Sequence, residues 1–373
     1  MSPVEIKKDI YWVGVADWNI RDFHGYELNR GTTYNSFLVI DKKTVLFDTV
    51  KKEFWHDLKL NISKIIDPQQ IDYLVVNHVE FDHTGCLPDV IREFKPEKII
   101  CSAMGEHGLM EHFHKIDAPI EVVKTGDEIS IGDRTIKFIE SRMLHWPDSM
   151  CSYLVEDKTL ISNDIFGQHW ATSERFDDEV TKGDLWFQAL NYYANIMLPY
   201  SPLMAKFLDY MKNENINPEI IAPDHGIIWR TYVDEIIETY REWAHYKTRR
   251  KIALIYDTMW GSTDMMAKAI ERGVQEEGVA INVLLSSRTH RSEIITQMLE
   301  AKGVILGSST LNNGILPTMA DALTYIDSLR PREKIGAAFG SYGWGGEAVK
   351  HLNSWMEKMK IDVVNPGLRI KFV

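Results

Sequence analysis

Short apolar segments separated by turns dominate the chain up to about residue 170. Alternation of apolar and polar positions over four to eight residues is typical of β-strands. The strands predicted on this basis are residues 9–15, 33–40, 43–50, 72–78, 98–103, 134–141 and 152–164. Helix-length segments lie between some of them, so this part of the chain is predicted to form a two-layer β core covered by helices.

Helical periodicity follows in residues 183–198, 202–213 and 231–246. The last of these helices has a clearly apolar face. That face carries Val233, Ile236, Ile237, Tyr240 and Trp243. A basic run at residues 247–251 then precedes a sharp change of pattern, and we predict a domain boundary there, with one domain at 1–250 and the other at 251–373.

From Lys251 onward, strand-like and helix-like segments alternate regularly. The predicted strands are residues 251–257, 280–286, 303–309, 334–341 and 367–373. The first, third and fourth are nearly continuous apolar runs, as expected when helices cover both faces of a parallel sheet. The pattern therefore predicts a doubly wound α/β domain with the flavodoxin-like strand order and a ligand at its switch point.

Composition and charge exclude some classes of partner. The net charge of −12 argues against nucleic-acid binding and against attraction to anionic membranes. The cysteines have no CxxC spacing and suggest no disulfide framework, and no apolar run approaches the length of a membrane span. The expected location is the cytoplasm.

A dense group of histidines and acids follows the strand predicted at residues 72–78. The segment NHVEFDHTGC contains His78, Glu80, Asp82 and His83. These residues lie at the carboxyl end of an apolar strand, where sites on sheets commonly form. Two interpretations fit the segment alone: a metal site, or a loop held together by its own hydrogen bonds.

Three further candidates occur in strand-end or turn contexts: His145, Asp164 and His225. Each by itself is compatible with a structural role, and Asp164, for example, could cap the segment that follows it. Asp148 and Asp224 have similar contexts. The prediction of a metal site therefore depends on the whole set.

The order H-x-E-x-D-H, His, Asp, His, with gaps of 62, 19 and 61 residues, resembles the flavodiiron proteins. The resemblance extends over essentially the whole chain and includes residues 21–25, 145–150, 162–169 and 192–196. It implies an α/β protein with an N-terminal metallo-β-lactamase-like αββα sandwich and a C-terminal flavodoxin-like doubly wound parallel sheet.

The resemblance also implies a role for each candidate ligand. One iron would be bound by His78, Glu80 and His145, the other by Asp82 and His225, and Asp164 would bridge the two. His83 would either bind iron or give way to water.

Glu80 is the informative position, because hydrolases of this fold usually carry histidine there and bind zinc. An anionic oxygen ligand shifts the preference from zinc toward iron or manganese. His24, Trp146 and Tyr193 match residues near the family's iron pocket, although packed aromatics and a satisfied histidine would explain them equally well.

The second domain carries a predicted flavin site. The segment YDTMWGSTDMM follows its first strand and opens a helix, where backbone N–H groups and hydroxyls can hold an anion. No lysine follows the glycine, so the segment resembles the phosphate loop of flavodoxins rather than that of nucleotide triphosphatases. Loops after the third and fourth strands add glycines, which allow close approach of a flat ring, and aromatic side chains that can stack on it. An ordinary set of glycine-rich turns in a response-regulator-like fold is disfavoured, because the acidic cluster of that fold is missing. The predicted FMN-binding residues are Thr258, Met259, Trp260, Gly261, Ser262, Thr263, Ser309, Thr310, Leu311, Asn312, Asn313, Gly314, Gly340, Ser341, Tyr342, Gly343, Trp344, Gly345 and Gly346.

Together, the two sites and the resemblance imply a terminal reductase. An external donor, rubredoxin-like or a deazaflavin, would reduce FMN, and FMN would reduce a diiron site that converts dioxygen to water or nitric oxide to nitrous oxide. A head-to-tail homodimer or a dimer of dimers is expected, with Trp344 near the point where the subunits cross.

A flavodoxin-like domain normally has a helix after its fifth strand, and some relatives add a rubredoxin domain. Either the helix or the rubredoxin domain could follow Val373 in the native protein. The alternatives are a dinuclear-zinc hydrolase fused to a flavodoxin and a non-catalytic, flavodoxin-like electron carrier.

Overall fold

The computed structural model describes residues 2–372, which form two compact units. One unit consists of residues up to Phe23 together with Leu28–Tyr192 and Pro202–Tyr240. The other consists of His24–Glu27, Tyr193–Ser201 and the residues from Arg241 onward. Each unit is therefore assembled from more than one run of the chain. Within residues 2–372, no helix combines the length and the apolar character needed to cross a bilayer.

Two β-sheets form the centre of the first unit. The strands before residue 240 are β1 (Val4–Lys7), β2 (Ile10–Trp12), β3 (Val15–Asp17), β4 (Asp22–Phe23), β5 (Tyr26–Glu27), β6 (Thr32–Tyr34), β7 (Phe37–Val39), β8 (Thr44–Phe47), β9 (Ile71–Val76), β10 (Lys98–Ser102), β11 (Ile120–Val123), β12 (Glu128–Ser130), β13 (Thr135–Glu140), β14 (Met150–Leu154), β15 (Thr159–Ile161) and β16 (Ile220–Ala222). One sheet has the order β1-β2-β7-β8-β9-β10-β11, and the other has the order β12-β13-β14-β15-β16. The strands from β8 to β11 run parallel.

Alternating side chains of the first sheet enter two different cores, because successive residues of a strand point to opposite faces. Phe37 and Phe47 join Phe138 and Met150 of the second sheet in a buried core between the sheets. Leu38 and its neighbours on the opposite face pack against helices.

The helices that precede residue 245 are α1 (Trp55–Ser63), α2 (Phe81–Thr84), α3 (Leu87–Glu93), α4 (Ala103–Phe113), α5 (Lys182–Tyr192), α6 (Ser201–Asn213) and α7 (Val233–Ala244). In α1, Trp55, Leu58 and Ile62 are buried at helical spacing, so this helix covers the sheet with one apolar face. The predicted αββα sandwich is confirmed.

Several predicted strands are divided in the structure. The segment predicted at 152–164 is the hairpin β14–β15, whose turn contains Lys158 with a positive φ of 50°.

The helix predicted at 183–198 leaves α-helical geometry after Tyr192 and continues as a π-helical turn over Tyr193–Met197. Pro199, which has no N–H to donate, lies in the short 3₁₀ turn that follows.

The second unit contains a parallel sheet with the order β18-β17-β19-β20-β21, which is the predicted flavodoxin-like order. Its strands are β17 (Arg249–Asp257), β18 (Ala280–Leu285), β19 (Ala301–Ser308), β20 (Ile335–Tyr342), β21 (Asp362–Val363) and β22 (Leu368–Lys371). Its helices are α8 (Ser262–Glu276), α9 (Arg291–Leu299), α10 (Pro317–Leu329) and α11 (Ala348–Lys358).

The fifth position of this sheet is shared by two short strands, since β21 and β22 both pair with β20. The segment Asn365-Pro366-Gly367 separates them. Proline cannot donate to a β ladder, and Gly367 has a φ of 102°. The strand predicted at 367–373 is therefore observed as Leu368–Lys371, and Val373 lies outside the described residues.

Candidate metal centre and cofactor cavity

The loop after β9 and the short helix α2 hold four of the predicted ligands. His78, Glu80, Asp82 and His83 are all buried, with exposed fractions of 7% or less, although two of them are acids. The Thr84 hydroxyl donates to the carbonyls of Val79 and Glu80 at 2.8 and 3.0 Å and so fixes the turn that directs these side chains inward.

The first cluster of potential ligands consists of His78, Glu80 and His145. The Oε2 atom of Glu80 lies 3.2 Å from Nε2 of His78 and 3.4 Å from Nε2 of His145. One carboxylate oxygen and two imidazole nitrogens therefore converge on a point within reach of all three.

The second cluster consists of Asp82, His83 and His225. The Nε2 atom of His225 lies 3.3 Å from Oδ2 of Asp82, and Nε2 of His83 lies 3.4 Å from Oδ1 of Asp82. In the structure, the His83 ring is directed toward this cluster.

Asp164 lies between the two clusters and presents a different oxygen to each. Its Oδ2 atom is 3.4 Å from Nε2 of His145 and 3.6 Å from Nε2 of His78. Its Oδ1 atom is 3.4 Å from Nε2 of His225 and 3.6 Å from Nε2 of His83. This is the arrangement that a carboxylate bridging two metal ions requires.

Partners outside the clusters orient the rings. Nδ1 of His78 lies 2.8 Å from a carboxylate oxygen of Asp148, and Nδ1 of His225 lies 2.6 Å from the carbonyl oxygen of Thr33. When each Nδ1 carries the hydrogen, the Nε2 atom is left with a free lone pair that faces the clusters.

The electrostatics of the protein alone are those of a site that needs cations. Burial lowers the pKa of His78 and His145, but interactions with the carboxylates of Asp148, Glu80 and Asp164 outweigh it and raise these values to about 10 and about 9. Burial also raises the pKa of Asp164, but the neighbouring histidines hold it well below its usual range. Protons on the histidines thus balance the buried carboxylates.

Several buried polar atoms lack a hydrogen-bond partner among residues 2–372. They include both carboxylate oxygens of Asp82, both ring nitrogens of His83 and Oδ2 of Asp164. Buried polar groups are normally satisfied, and such atoms, clustered in one place, are satisfied when metal ions bind there. Two imidazole-and-carboxylate clusters joined by one carboxylate fit a non-haem diiron pair, because mixed nitrogen and oxygen ligands suit iron.

The three predicted pocket residues have different environments. The Trp146 ring is half-buried and packs edge-on against His78, with centroids 5.1 Å apart. Tyr193 belongs to the other compact unit, where its hydroxyl lies 2.9 Å from the Ser201 hydroxyl. His24 belongs to that unit as well and is exposed in a turn with a φ of 52°.

Some residues that support the site were not predicted. The buried Tyr192 hydroxyl donates to Oδ1 of Asp164 at 2.9 Å, whereas the sequence analysis selected the adjacent Tyr193. His169 is buried against His225, with ring centroids 4.9 Å apart. Tyr192 and His169 lie in the segments 192–196 and 162–169 that carry the family resemblance. The resemblance could therefore have pointed to these two residues as part of the site.

The second unit contains a cavity of about 320 Å³ at the carboxyl ends of β17, β19 and β20. Predicted FMN-binding residues make up most of its wall. They are Met259, Trp260, Ser262, Ser309, Thr310, Asn312, Asn313, Ser341, Tyr342, Gly343, Trp344 and Gly345. Phe372 also lines the cavity and was not predicted.

The other predicted residues are not among those that line the cavity. They are Thr258, Gly261, Thr263, Leu311, Gly314, Gly340 and Gly346. Thr258 Oγ1 accepts a hydrogen bond from the Gly261 N–H at 3.1 Å, and the buried Thr263 hydroxyl lies 2.8 Å from the hydroxyls of both Ser309 and Ser341. These contacts hold the loops after three strands against one another.

The cavity fits a flavin mononucleotide. Helix α8 begins beside it after Gly261, whose φ of 84° allows the loop to turn, so the first N–H groups of the helix face the space where a phosphate would lie. Trp260 and Trp344 are 94% and 90% exposed, which is unusual for tryptophan and suits side chains that cover a flat aromatic ring.

Comparison with known families matches both halves of the chain. The model described as ODP family beta lactamase matches residues 32–226, which is more than half of the chain. The flavodoxin model matches residues 254–373.

Similar proteins cover the chain from end to end. Rubredoxin-oxygen oxidoreductase of Megalodesulfovibrio gigas is 45% identical over 377 residues, which span 100% of this chain and 94% of that protein. Nitric oxide reductase of Moorella thermoacetica is 44% identical over 375 residues, with the same coverage of 100% and 94%.

Solved structures agree with these relatives. The structure of rubredoxin oxygen:oxidoreductase from Desulfovibrio gigas superposes with a TM-score of 0.97 at 45% identity, over 100% of this chain and 94% of that one. The flavodiiron protein of Giardia intestinalis superposes with a TM-score of 0.96 at 32% identity, over 100% and 92% of the two chains. The chain therefore belongs to the flavodiiron proteins.

Proposed function

We propose that this protein is an oxidoreductase that reduces dioxygen to water, nitric oxide to nitrous oxide, or both, with electrons from an external donor. The observation that carries the proposal is the position of Asp164, which presents one oxygen to each cluster of buried imidazoles and carboxylates. The relatives named rubredoxin-oxygen oxidoreductase and nitric oxide reductase support both substrates.

The proposed metal ligands fall into two groups joined by Asp164. His78, Glu80 and His145 hold one iron. Asp82, His83 and His225 surround the other. The separations of 3.2 to 3.6 Å between their nitrogen and oxygen atoms support this assignment, since atoms bound to one ion at about 2.1 Å lie about 3 Å or slightly more apart. Glu80 supports iron over zinc by adding an anionic oxygen.

The proposed FMN residues are those of the loops at the carboxyl ends of β17, β19 and β20. The first turn of α8 and the Ser262 hydroxyl bind the phosphate, and Trp260 and Trp344 cover the ring. When bound, FMN accepts electrons from the donor and passes them on, and the iron pair supplies the redox chemistry that reduces the gas. The matches of the two family models to residues 32–226 and 254–373 support two domains that meet near residue 250.

The side chains around the clusters control access and geometry. Trp146 covers His78 and makes that side of the proposed substrate pocket apolar, which suits a small uncharged gas. Roles in the substrate pocket for Tyr193 and His24 stay predictions, because the contacts within their own unit account for Tyr193 and leave His24 on a surface turn.

The assembly and the donor are part of the proposal. We expect a head-to-tail homodimer or a tetramer, in which a second copy of the chain covers the exposed Trp344. We also expect a rubredoxin-like electron donor and a cytoplasmic location. The name of the relative from Megalodesulfovibrio gigas supports the donor. Light scattering coupled to size-exclusion chromatography would measure the assembly, and a mass equal to one chain of 43.1 kDa would contradict it.

The test is anaerobic stopped-flow spectroscopy of the purified, chemically reduced protein mixed with dioxygen and, separately, with nitric oxide. We expect two irons and one FMN per chain and rapid reoxidation of the flavin by at least one of the gases. Zinc in place of iron would favour the hydrolase alternative. Bound FMN and iron without any gas consumption would favour the electron carrier. The ratio of the two rates would identify the preferred gas.

A further inference from the structure

Asp224 is a buried acid whose role the proposed ligand set does not explain. It precedes His225 after β16, is completely buried, and neither of its carboxylate oxygens has a hydrogen-bond partner among residues 2–372. Burying a carboxyl group without a hydrogen-bond partner destabilises a protein, so such a group calls for an explanation. Its Oδ2 atom lies 3.7 Å from Nδ1 of His83.

The His83 ring needs an acceptor on that side. Its Nε2 atom faces Asp82 and Asp164 at 3.4 and 3.6 Å, so a metal bound through Nε2 leaves the hydrogen on Nδ1. Two of the other rings with this orientation have such an acceptor, which is Asp148 for His78 and the Thr33 carbonyl for His225.

Asp224 is the available acceptor for His83. The other nearby buried acid, Asp48, is already engaged by the N–H and the side-chain amide of Asn77 at 2.8 and 2.7 Å. Asp224 offers an acceptor oxygen whether or not it carries a proton. The separation of 3.7 Å exceeds a hydrogen bond by less than about 1 Å, a gap that small ring movements close when a ligand binds.

We propose that Asp224 is a positioning residue that holds His83 as a ligand of the second metal ion, where water would otherwise take its place. The inference rests on the proposed function, because it assumes that His83 faces a metal pair. It assigns to Asp224 the role that Asp148 has for His78. Outer partners of this kind typically change metal affinity by about 10- to 100-fold.

A double-mutant cycle tests the proposal on the full chain. The variants are Asp224→Ala, His83→Ala and the combination of both, and the measurement is competition with a chelator for ferrous iron under anaerobic conditions, read as iron bound per chain. We expect Asp224→Ala to weaken the second iron by about 10- to 100-fold in the native background. In the His83→Ala background it should have an effect of no more than about twofold, because its partner is missing.

Two further variants serve as controls. Asp224→Asn keeps an acceptor oxygen at the same position and should restore most of the affinity. Asp148→Asn acts through His78, so its effect on iron binding should be the same with and without His83. Circular dichroism and FMN content establish that each variant is folded.

The outcomes separate the inference from the proposed function. If native protein does not bind two irons per chain, the proposed function fails. If it binds two, but Asp224→Ala weakens the second iron equally in both backgrounds or has no effect on it, Asp224 does not act through His83 and the inference is wrong. Failure of Asp224→Asn to restore affinity would equally contradict a hydrogen-bonding role.

Discussion

Metal uptake by the metal-free protein should release protons and should become stronger as the pH rises. Interactions with carboxylates overcome the effect of burial and raise the pKa of His78 to about 10 and that of His145 to about 9. Both rings are therefore protonated at pH 7, whereas a ring that binds metal through Nε2 must have lost that proton. Each unit between pKa and pH corresponds to about 1.4 kcal/mol, so deprotonation at pH 7 costs about 4 kcal/mol at His78 and about 3 kcal/mol at His145.

The size of the pH effect follows from these values. At the cluster of His78, Glu80 and His145, where two protons are released, the apparent affinity for ferrous iron should rise about 100-fold per pH unit up to about pH 9, and about tenfold per unit from there to about pH 10. Stability of the metal-free protein should change in the opposite direction. A histidine whose pKa is raised by folding stabilises the fold fully below its unfolded value of about 6.5, and this contribution is lost as the pH rises toward about 10.

Calorimetric titration of ferrous iron into the anaerobic, metal-free protein would measure this effect. Titrations between pH 6.5 and 8 in two buffers with different ionisation enthalpies give the number of protons released, and urea unfolding of the metal-free protein at the same pH values gives the stability. Affinity that does not depend on pH, with no proton release, would refute the reasoning that protons on these histidines replace the metal charge.

Three substitutions test other parts of the site. Glu80→His should lower iron content and favour zinc while FMN stays bound, because an imidazole replaces an anionic oxygen ligand. Elemental analysis and stopped-flow spectroscopy would measure iron content and gas reduction. If both are unchanged, the role assigned to Glu80 is wrong. Thr258→Val should weaken FMN binding without changing metal content, since it removes the hydroxyl that fixes the phosphate turn, and flavin fluorescence measures the affinity. Tyr192→Phe removes the hydrogen bond that holds Asp164 and should weaken metal binding by up to about 1.5–3 kcal/mol, the usual range for a hydrogen bond to a charged group. The matched variant Tyr193→Phe should leave metal affinity unchanged, and an equal loss in both variants, measured by chelator competition, would show that the Asp164 contact is not responsible.

Local chemistry was enough to select several of the candidate ligands that the structure groups into buried clusters. His78, Glu80 and Asp82 come directly after an apolar strand, and a polar run at that place in a sheet already suggests a site. Long-range contacts had no comparable signal. Asp148 meets His78 across 70 positions of the chain, and the acceptor for His225 is a backbone carbonyl that any residue could supply.

The flavin half shows the same division. Glycines and hydroxyl-bearing residues next to the strand ends predicted loops that bind a phosphate and a flat ring. In the structure, residues of these loops line one cavity. The sequence did not reveal which hydroxyls face that cavity. Thr258 and Thr263 both resemble phosphate ligands, yet Thr258 accepts from Gly261 and Thr263 bonds to two serines of other loops. A hydroxyl can bind a ligand or hold a turn, and the packing of neighbouring loops decides between the two.

The two halves of the metal centre differ in ways that bear on how it would work. His78 is backed by the carboxylate of Asp148 and lies next to Glu80. By contrast, the partners of Nδ1 of His225 are neutral, the Thr33 carbonyl and the Thr32 hydroxyl. A carboxylate partner makes an imidazole a stronger donor, so the position beside His78 favours the more highly charged ion. The Asp164 oxygen that faces His225 also accepts a hydrogen bond from Tyr192, which withdraws charge from that side. The protein therefore provides two inequivalent positions for the metal pair.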